Sequence, residues 1–356
     1  MTLGHQENTA AKAAAKPGST AAKPGSKVTS IAISSIEISI KGKWIPVPAL
    51  PVDDRFLIVK GKWLKTAVIE AEHWLETGTE NPERYVQALR EQASRGFQAD
   101  LLTFTQREPD TEPRYRYPMK RESMAVARTS NFKDWWTKLP QETRKNVRRA
   151  EKRGVTVSVR PLDDNLVRGL VSLNNDSPLR QGKPFTHYGK TFEQVWKDQL
   201  SFLDHCDYIC AYFEDDLIGV LKLVYRGDSA TILTLLSKPS HADKRPSNAL
   251  LAKAVELCAA KGIAYLVYGQ LVYGKKRDSS LKDFKLRHGF EEMLVPRYWV
   301  PLTPWGALSL RAGLHQGLVE ALPQEAIALA LSVRSTCYKW FRVLSRCSSN
   351  GRAVEL

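Results

Sequence analysis

Two spacings of apolar residues alternate along this chain, and between them they predict most of its elements. Ile33, Ile36, Ile38 and Ile40 approach a two-residue period, and 56–59 and 65–69 are further β-prone runs. Residues 82–93 carry Tyr85, Ala88 and Leu89 at helical spacing, Gly96 ends that helix, and 99–104 reads as a strand. The stretch 107–118, with Pro109, Pro113 and Pro118, is an irregular connection, in which Tyr115 and Tyr117 are expected to pack on their own domain rather than on a substrate. In 132–154, Trp135, Trp136 and Leu139 anchor a helix or helix pair broken at Pro140.

Beyond this point the pattern settles into strand 155–160, helices 165–174 and 191–203, and strands 208–213, 217–225 and 230–236. Glu214, Asp215 and Asp216 read as a solvated hairpin turn. The unit closing this run is a polar loop 237–246, a helix 247–261, a strand 263–268 and a final helix ending at His288-Gly289-Phe290. Leu251, Ala254, Val255 and Cys258 give helix 247–261 a core-facing stripe, and Gly262 stops it. This is a strand–helix–strand crossover. After Pro301, leucine-rich segments carrying Arg334, Lys339, Arg342 and Arg346 predict two or three amphipathic helices. They pack on the core in one reading and rest on an anionic membrane surface in the other.

The order of elements makes the chain α/β (α+β), with a mixed central sheet flanked by helices. Residues 1–30, rich in Ala, Lys, Pro, Gly and Ser, have too little apolar surface to order themselves and read as a disordered basic tail. With 43% hydrophobic and 26% charged residues, the rest has the composition of a globular protein. The net charge of +15 favours an anionic partner: a phosphorylated cofactor, a nucleic acid or an anionic membrane surface. Five cysteines without a Cys-x-x-Cys pair argue against a disulfide framework or a structural zinc. Together with the missing apolar signal core they lead to the expectation of a cytoplasmic protein with no metal. Cys210 and Cys258 are expected in the core.

Three stretches carry candidate chemistry. At the start of helix 247–261, Lys244 and Arg245 bring positive charge, Pro246 presets the backbone, and Ser247 or Asn248 is expected to cap the helix, a combination suited to phosphate. In 144–153, six cations face a single carboxylate, which leaves open a phosphate-binding helix, a membrane patch or a solvated face. In the loop 177–189, His187 has the basicity to take up a proton near neutral pH and Tyr188 the hydroxyl to donate one. Arg180 and Lys183 are placed to hold an anionic group.

From 125 to 302 the chain resembles the GCN5-related N-acetyltransferases (GNAT), and more closely their FemAB-like branch. The residues that carry the resemblance are Lys244-Arg245-Pro246-Ser247-Asn248-Ala249-Leu250-Leu251, Tyr265-Leu266-Val267-Tyr268-Gly269 and Ser280-Leu281-Lys282-Asp283-Phe284-Lys285. The glycine-bearing acetyl-CoA loop is absent, as it is in FemAB-type proteins. The resemblance implies an N-terminal α/β region over 31–125, a degenerate first acyltransferase-like half. It also implies an acyltransferase domain over 126–302, with 303–356 as a helical extension. It implies direct transfer of an acyl group from an acyl-CoA such as acetyl-CoA to an amine acceptor, a cell-envelope precursor among the candidates, by a cytoplasmic enzyme with peripheral membrane attachment as a variant. Alternatives are aminoacyl-tRNA as donor and a noncatalytic basic module on the same fold. Lys244, Arg245, Ser247 and Asn248 then contact the donor, His187 and Tyr188 act on the acceptor, and strand 232–236 offers its amides to the acyl oxygen. Phe284 and Lys285 stand nearest the position where the family's acid is a tyrosine, with Tyr268 and Tyr273 as substitutes.

Overall fold

The computed structural model describes residues 32–75, 77–180, 182–272 and 279–316. The basic tail, Tyr273 and the helices expected beyond 316 lie outside them.

The chain opens with a hairpin of β1 (Ser34–Ile40) and β2 (Lys43–Val52), whose turn residues Lys41 and Gly42 are both left-handed, at φ 50° and 79°. Then come β3 (Arg55–Lys60) and β4 (Thr66–Ile69), each antiparallel to its predecessor. Helix α1 (Pro82–Ala93) crosses over to β5 (Leu101–Thr105), which runs parallel to β4. Tyr85, Ala88 and Leu89 bury the predicted face of α1 against Leu57, Ile69, Leu102 and Phe104.

The chain continues through β6 (Met119–Arg128), α2 (Phe132–Lys138), α3 (Gln141–Lys152), β7 (Val155–Arg160) and α4 (Asp164–Asn175). Two short strands, β8 (Leu179–Arg180) and β9 (Lys183–Pro184), precede α5 (Phe192–Gln199), β10 (Cys206–Phe213), β11 (Asp216–Arg226) and β12 (Ser229–Ser237). Helix α6 (Pro246–Ala260) leads to β13 (Tyr265–Gln270), parallel to β12, and α7 (Ser280–Arg287), β14 (Glu291–Pro301) and α8 (Pro304–Arg311) finish the described chain.

Twelve strands form one mixed sheet in the order β1-β2-β3-β4-β5-β14-β6-β13-β12-β11-β10-β7. Two strand–helix–strand crossovers, β4-α1-β5 and β12-α6-β13, repeat one plan. The strands that follow them are exchanged. β6, next in the chain after β5, pairs with β13, while β14, next after α7, pairs with β5, and the two pair with each other. This exchange ties the sheet together, and position 125/126 falls inside β6.

Some sequence expectations change on contact with the tertiary structure. The helix expected over 191–203 ends at Gln199 because the chain turns left-handed at Phe202, φ 60°. Strands β6 and β14 went unforeseen because their polar residues pair across the sheet: Arg297 bonds Glu122 at 2.9 Å and Glu72 at 3.3 Å. The acidic hairpin is not wholly solvated. Asp216 grips the buried Lys238 ammonium at 2.6 and 2.8 Å. Cys210 and Cys258 are fully buried, and burial pushes both thiols up to about 12, which leaves them inert core residues. Tyr115 and Tyr117 pack around Phe104, as read from the sequence.

Candidate functional site

The site begins where two parallel strands part. β12 and β13 share only three register pairs, Ser229–Tyr265, Ala230–Leu266 and Thr231–Val267. Beyond Thr231 the edge of β12 facing β13 carries no ladder, while its other edge stays paired with β11 as far as Ser237. In that pairing Lys222 faces Thr234 and Leu223 faces Ile232, so Leu233 is the extra residue of a β-bulge. Beyond Thr231 the backbone groups of β12 that face the gap have no ladder partner in β13, the requirement for polarising an acyl oxygen. On the other arm β13 is also irregular, between Val267 and Gln270. The Lys285 ammonium, 1% exposed, bonds the Tyr268 and Gln270 carbonyls at 2.5 and 2.7 Å, and burial pushes it down to about 8.

Helix α6 starts at the head of this wedge. Gly219 of β11 lets it sit close, since a Cβ there would come within 3.0 Å of Leu250 and 3.3 Å of Pro246. The expectation that Ser247 or Asn248 caps the helix is corrected: Arg245, left-handed at φ 59°, is the N-cap, and no side chain caps the first turn. Pro246 then occupies the first helical position, and that placement moves Ser247 and Asn248 inside the helix. Ser247 donates to the Ser237 hydroxyl at 3.1 Å, and Asn248 donates to His288 Nε2 at 2.8 Å. His288 Nδ1 faces the Phe284 carbonyl at 2.7 Å, so this pattern fits the neutral tautomer that burial also favours. Lys244 lies over the Phe213 ring at 4.4 Å, and Arg245 is exposed. The basic helix α3 packs beside α6. Its Arg153 reaches Asp243 at 3.1 Å, its Thr143 bonds the Arg287 carbonyl at 3.0 Å, and Lys145, Arg148 and Lys152 form an exposed stripe.

The loop residues divide between two places. Arg180 stays with the wedge, donating to the Ser237 carbonyl at 2.5 Å and the Leu173 carbonyl at 3.1 Å. It therefore brackets the end of β12 together with Ser247 and is occupied by backbone rather than free for an acceptor. Lys183 and Tyr188 are exposed. His187 faces a different partner set. Its Nδ1 lies 3.3 Å from Asp198 Oδ2, which also accepts from Lys190 at 2.5 Å, while Oδ1 accepts from the Trp44 indole at 2.8 Å. Burial pushes the Asp198 carboxyl up, but these three donors outweigh it and hold the group below its ordinary value, ionised and able to orient His187. Lys222, buried and pushed down to about 8, bonds the Gln199 and Ser201 carbonyls at 2.8 and 2.6 Å and so fixes the end of α5 that bears Asp198.

His187 and Asp198 stand at a cleft of about 960 Å³ between the two crossover units. Its floor includes Leu233 and Thr234 of the bulge, and its opposite wall is the face of β1 and β3. The β1–β2 hairpin arches over it: Gly42 meets the Thr186 carbonyl closely enough that a Cβ would stand 2.8 Å away, and Glu37 pairs with Lys197 at 2.7 Å. Sequence reasoning missed Trp44, Asp198 and Glu70. Asp198 lay in a predicted helix with no mark setting it apart, and Trp44 lies more than 150 residues away from it in the chain. Glu70, also lining the cleft, has a carboxyl raised by burial, partly countered by Lys60.

The parallel wedge, the bulge and the uncapped helix at its head decide the architecture. The fold is GNAT-like. Among solved structures the chain is similar to the C-terminal domain (DUF2156) assigned to a lysylphosphatidylglycerol synthetase from Agrobacterium fabrum, with 14% identity, 75% of this chain and 88% of that one covered, and a TM-score of 0.48. It is similar to FemX, at 11% identity, 79% and 91% coverage and a TM-score of 0.43. A tandem GNAT protein from the clavulanic acid biosynthesis pathway is similar at 10% identity, 73% and 83% coverage and a TM-score of 0.38. No family model and no curated protein matches the chain. Among the described residues no helix is long and apolar enough to cross a membrane, and no cluster of His, Cys, Asp and Glu is placed to hold a metal ion.

Proposed function

We propose that the chain is an N-acyltransferase that moves an acyl group from a thioester donor, an acyl-CoA, directly to an amine. The observation that carries this reading is the parting of β12 from β13 at the head of an uncapped, cation-flanked helix, with the bulge at Leu233 opening into the cleft that holds His187. Donor phosphates sit against the first turn of α6 with Lys244, Arg245 and the cations of α3, where backbone N–H groups and positive charge act together. The pantetheine arm follows the gap between the strands. Ser237 and Thr234 are about 10 Å apart along β12, so the phosphate seat and the bulge lie within reach of one extended arm.

In the cleft, His187, oriented by Asp198, takes the proton from the attacking amine. The amine adds to the carbonyl, the tetrahedral oxyanion is held by amides at the bulge, and the thiolate leaves and takes up a proton from water. Direct transfer is favoured because neither described buried cysteine is activated: burial pushes both thiols up. We place the first, degenerate half over 31–125, and read 126–302 as the acyltransferase domain.

The exposed cationic stripe on α3 favours a second donor, aminoacyl-tRNA, and salt separates the two. Thiol release from a series of acyl-CoAs, measured with a panel of primary amines at rising salt, tests the proposal. Release that depends on the amine, with a shallow salt dependence of KM, supports acyl-CoA. Amine-independent hydrolysis alone, or no release, rejects it, and a steep salt dependence of binding to aminoacyl-tRNA turns the donor assignment to the polymer.

A further inference from the structure

The cleft differs from the wedge in what lines it. On β1, Ile36, Ile38 and Ile40 fall on alternate positions of one face, and on β3, Phe56 and Ile58 do the same. The register Ser34–Ala49–Ile58 sets these rows side by side, so from the Phe56 row to the Ile40 row the apolar face runs about 25 Å along the strands. Trp74 and Phe202, 6.3 Å apart, join Leu233 on the other side. A cleft of about 960 Å³ lies at the upper end of the size of small-molecule sites. A single lipid tail spans about 15 Å, half a bilayer's hydrocarbon core, and fits this run.

The charges in the cleft are unequal. Glu37 is neutralised by Lys197 and Asp198 by Lys190, while Lys41 and Lys60 also line the cleft and Lys60 acts on Glu70 through space without a hydrogen bond. Glu70 forms no hydrogen bond through its carboxylate to any described residue, and it stands beside Phe56, whose carbonyl accepts the Glu70 backbone N–H at 2.8 Å. A carboxylate without a bonded cation at the end of an apolar run complements an ammonium group with a hydrocarbon tail.

We infer that the amine acceptor is an amphiphile: its unbranched aliphatic chain lies along Phe56, Ile58, Ile36, Ile38 and Ile40, and its ammonium group docks at Glu70. The inference rests on the N-acyltransferase reading for the chemistry, but binding of the chain is independent of turnover. Glu70 then holds the head group at the Phe56 end of the run, and the chain extends towards the hairpin turn that meets Thr186.

Binding of butylamine, octylamine and dodecylamine to the full chain, each below its micellar concentration and followed by calorimetry without donor, tests this. Affinity is expected to rise up to about fourfold per methylene, the gain for burying one CH₂ group. Dodecylamine should bind about tenfold tighter than dodecanoate. Glu70→Gln should abolish that preference while keeping the dependence on chain length. Phe56→Ser and Ile40→Ser remove side chains that are 39% and 45% exposed, so the fold survives, and both should flatten the dependence. Affinity independent of chain length, dodecanoate binding as tightly as dodecylamine, or an unchanged preference in Glu70→Gln would each overturn the inference. Chain-length-dependent amine binding by the parent without acyl transfer would show failure of the acyltransferase reading separately.

Discussion

The two crossover units of this chain share a plan and differ at the head of the helix. In β4-α1-β5 the space is filled from within: the Arg55 guanidinium, buried, donates to the Thr77 and Gly78 carbonyls at 2.7 Å each, Tyr115 bonds the Thr79 carbonyl at 2.7 Å, and the buried pair Arg226–Glu108 closes the remainder. What is left is a cavity of about 20 Å³, room for a single water. Neither helix has a capping side chain, but the first turn of α1 carries Glu83, whereas α6 follows a left-handed Arg245, has no acid in its first turn and is flanked by a basic helix. A phosphate is favoured where the first turn carries no acid and cations stand beside it, so the second unit, and not the first, carries the proposed donor site.

The largest effect expected lies on the open side. His187→Ala should lower kcat by about 100-fold with little change in donor affinity, the usual scale for removing a general base. Asp198→Asn should lose part of that rate and keep the fold, which separates orienting the base from holding the hairpin. Loss of donor binding in either variant would move the acceptor residues to the wedge and break the contrast. On the plugged side, Arg55→Ala should destabilise the protein by about 3 kcal/mol, because buried carbonyls lose their donor, and leave donor affinity unchanged. Chemical denaturation of the variant checks the first part and calorimetry with acyl-CoA the second.

The smallest effect concerns Glu70, between the two units. Its folded pKa is raised, so as pH rises the unfolded chain releases this proton first, and the folded state loses stability between the ordinary carboxylate pKa and the raised one. Glu70→Gln should therefore match the parent at pH 4 and unfold at a higher temperature at pH 7. Equal midpoints at both pH values would show that the carboxylate is not penalised by burial.

How much of this was legible in the sequence follows from the range of the interactions. The crossover helix α6 was readable because Leu251, Ala254, Val255 and Cys258 mark its buried face locally. The positions of Lys244, Arg245, Ser247 and Asn248 at its start were readable too, although the cap moved to Arg245 because a left-handed N-cap depends on backbone geometry that side-chain identity does not encode. The cleft was not legible. Asp198 gains its meaning from Trp44, Lys190 and His187, which the β1–β2 hairpin brings to it, and no periodicity reports a hairpin that folds onto the far half of the sheet. Arg180 read as a free cation, and only the packed structure reveals the two carbonyls it serves. The exchange of β6 and β14 was hidden for the same reason: pairing between strands nearly two hundred residues apart leaves no local mark.

The most direct test of the donor site is thermal unfolding of the protein with and without acetyl-CoA and longer acyl-CoAs, in the parent and in Lys244→Ala/Arg245→Ala. Binding to the folded state at 100 times Kd adds about 2.7 kcal/mol, so a rise of a few degrees is predicted for the parent and none for the variant. No rise with any acyl-CoA, or an equal rise in the variant, would contradict a donor site at the head of α6.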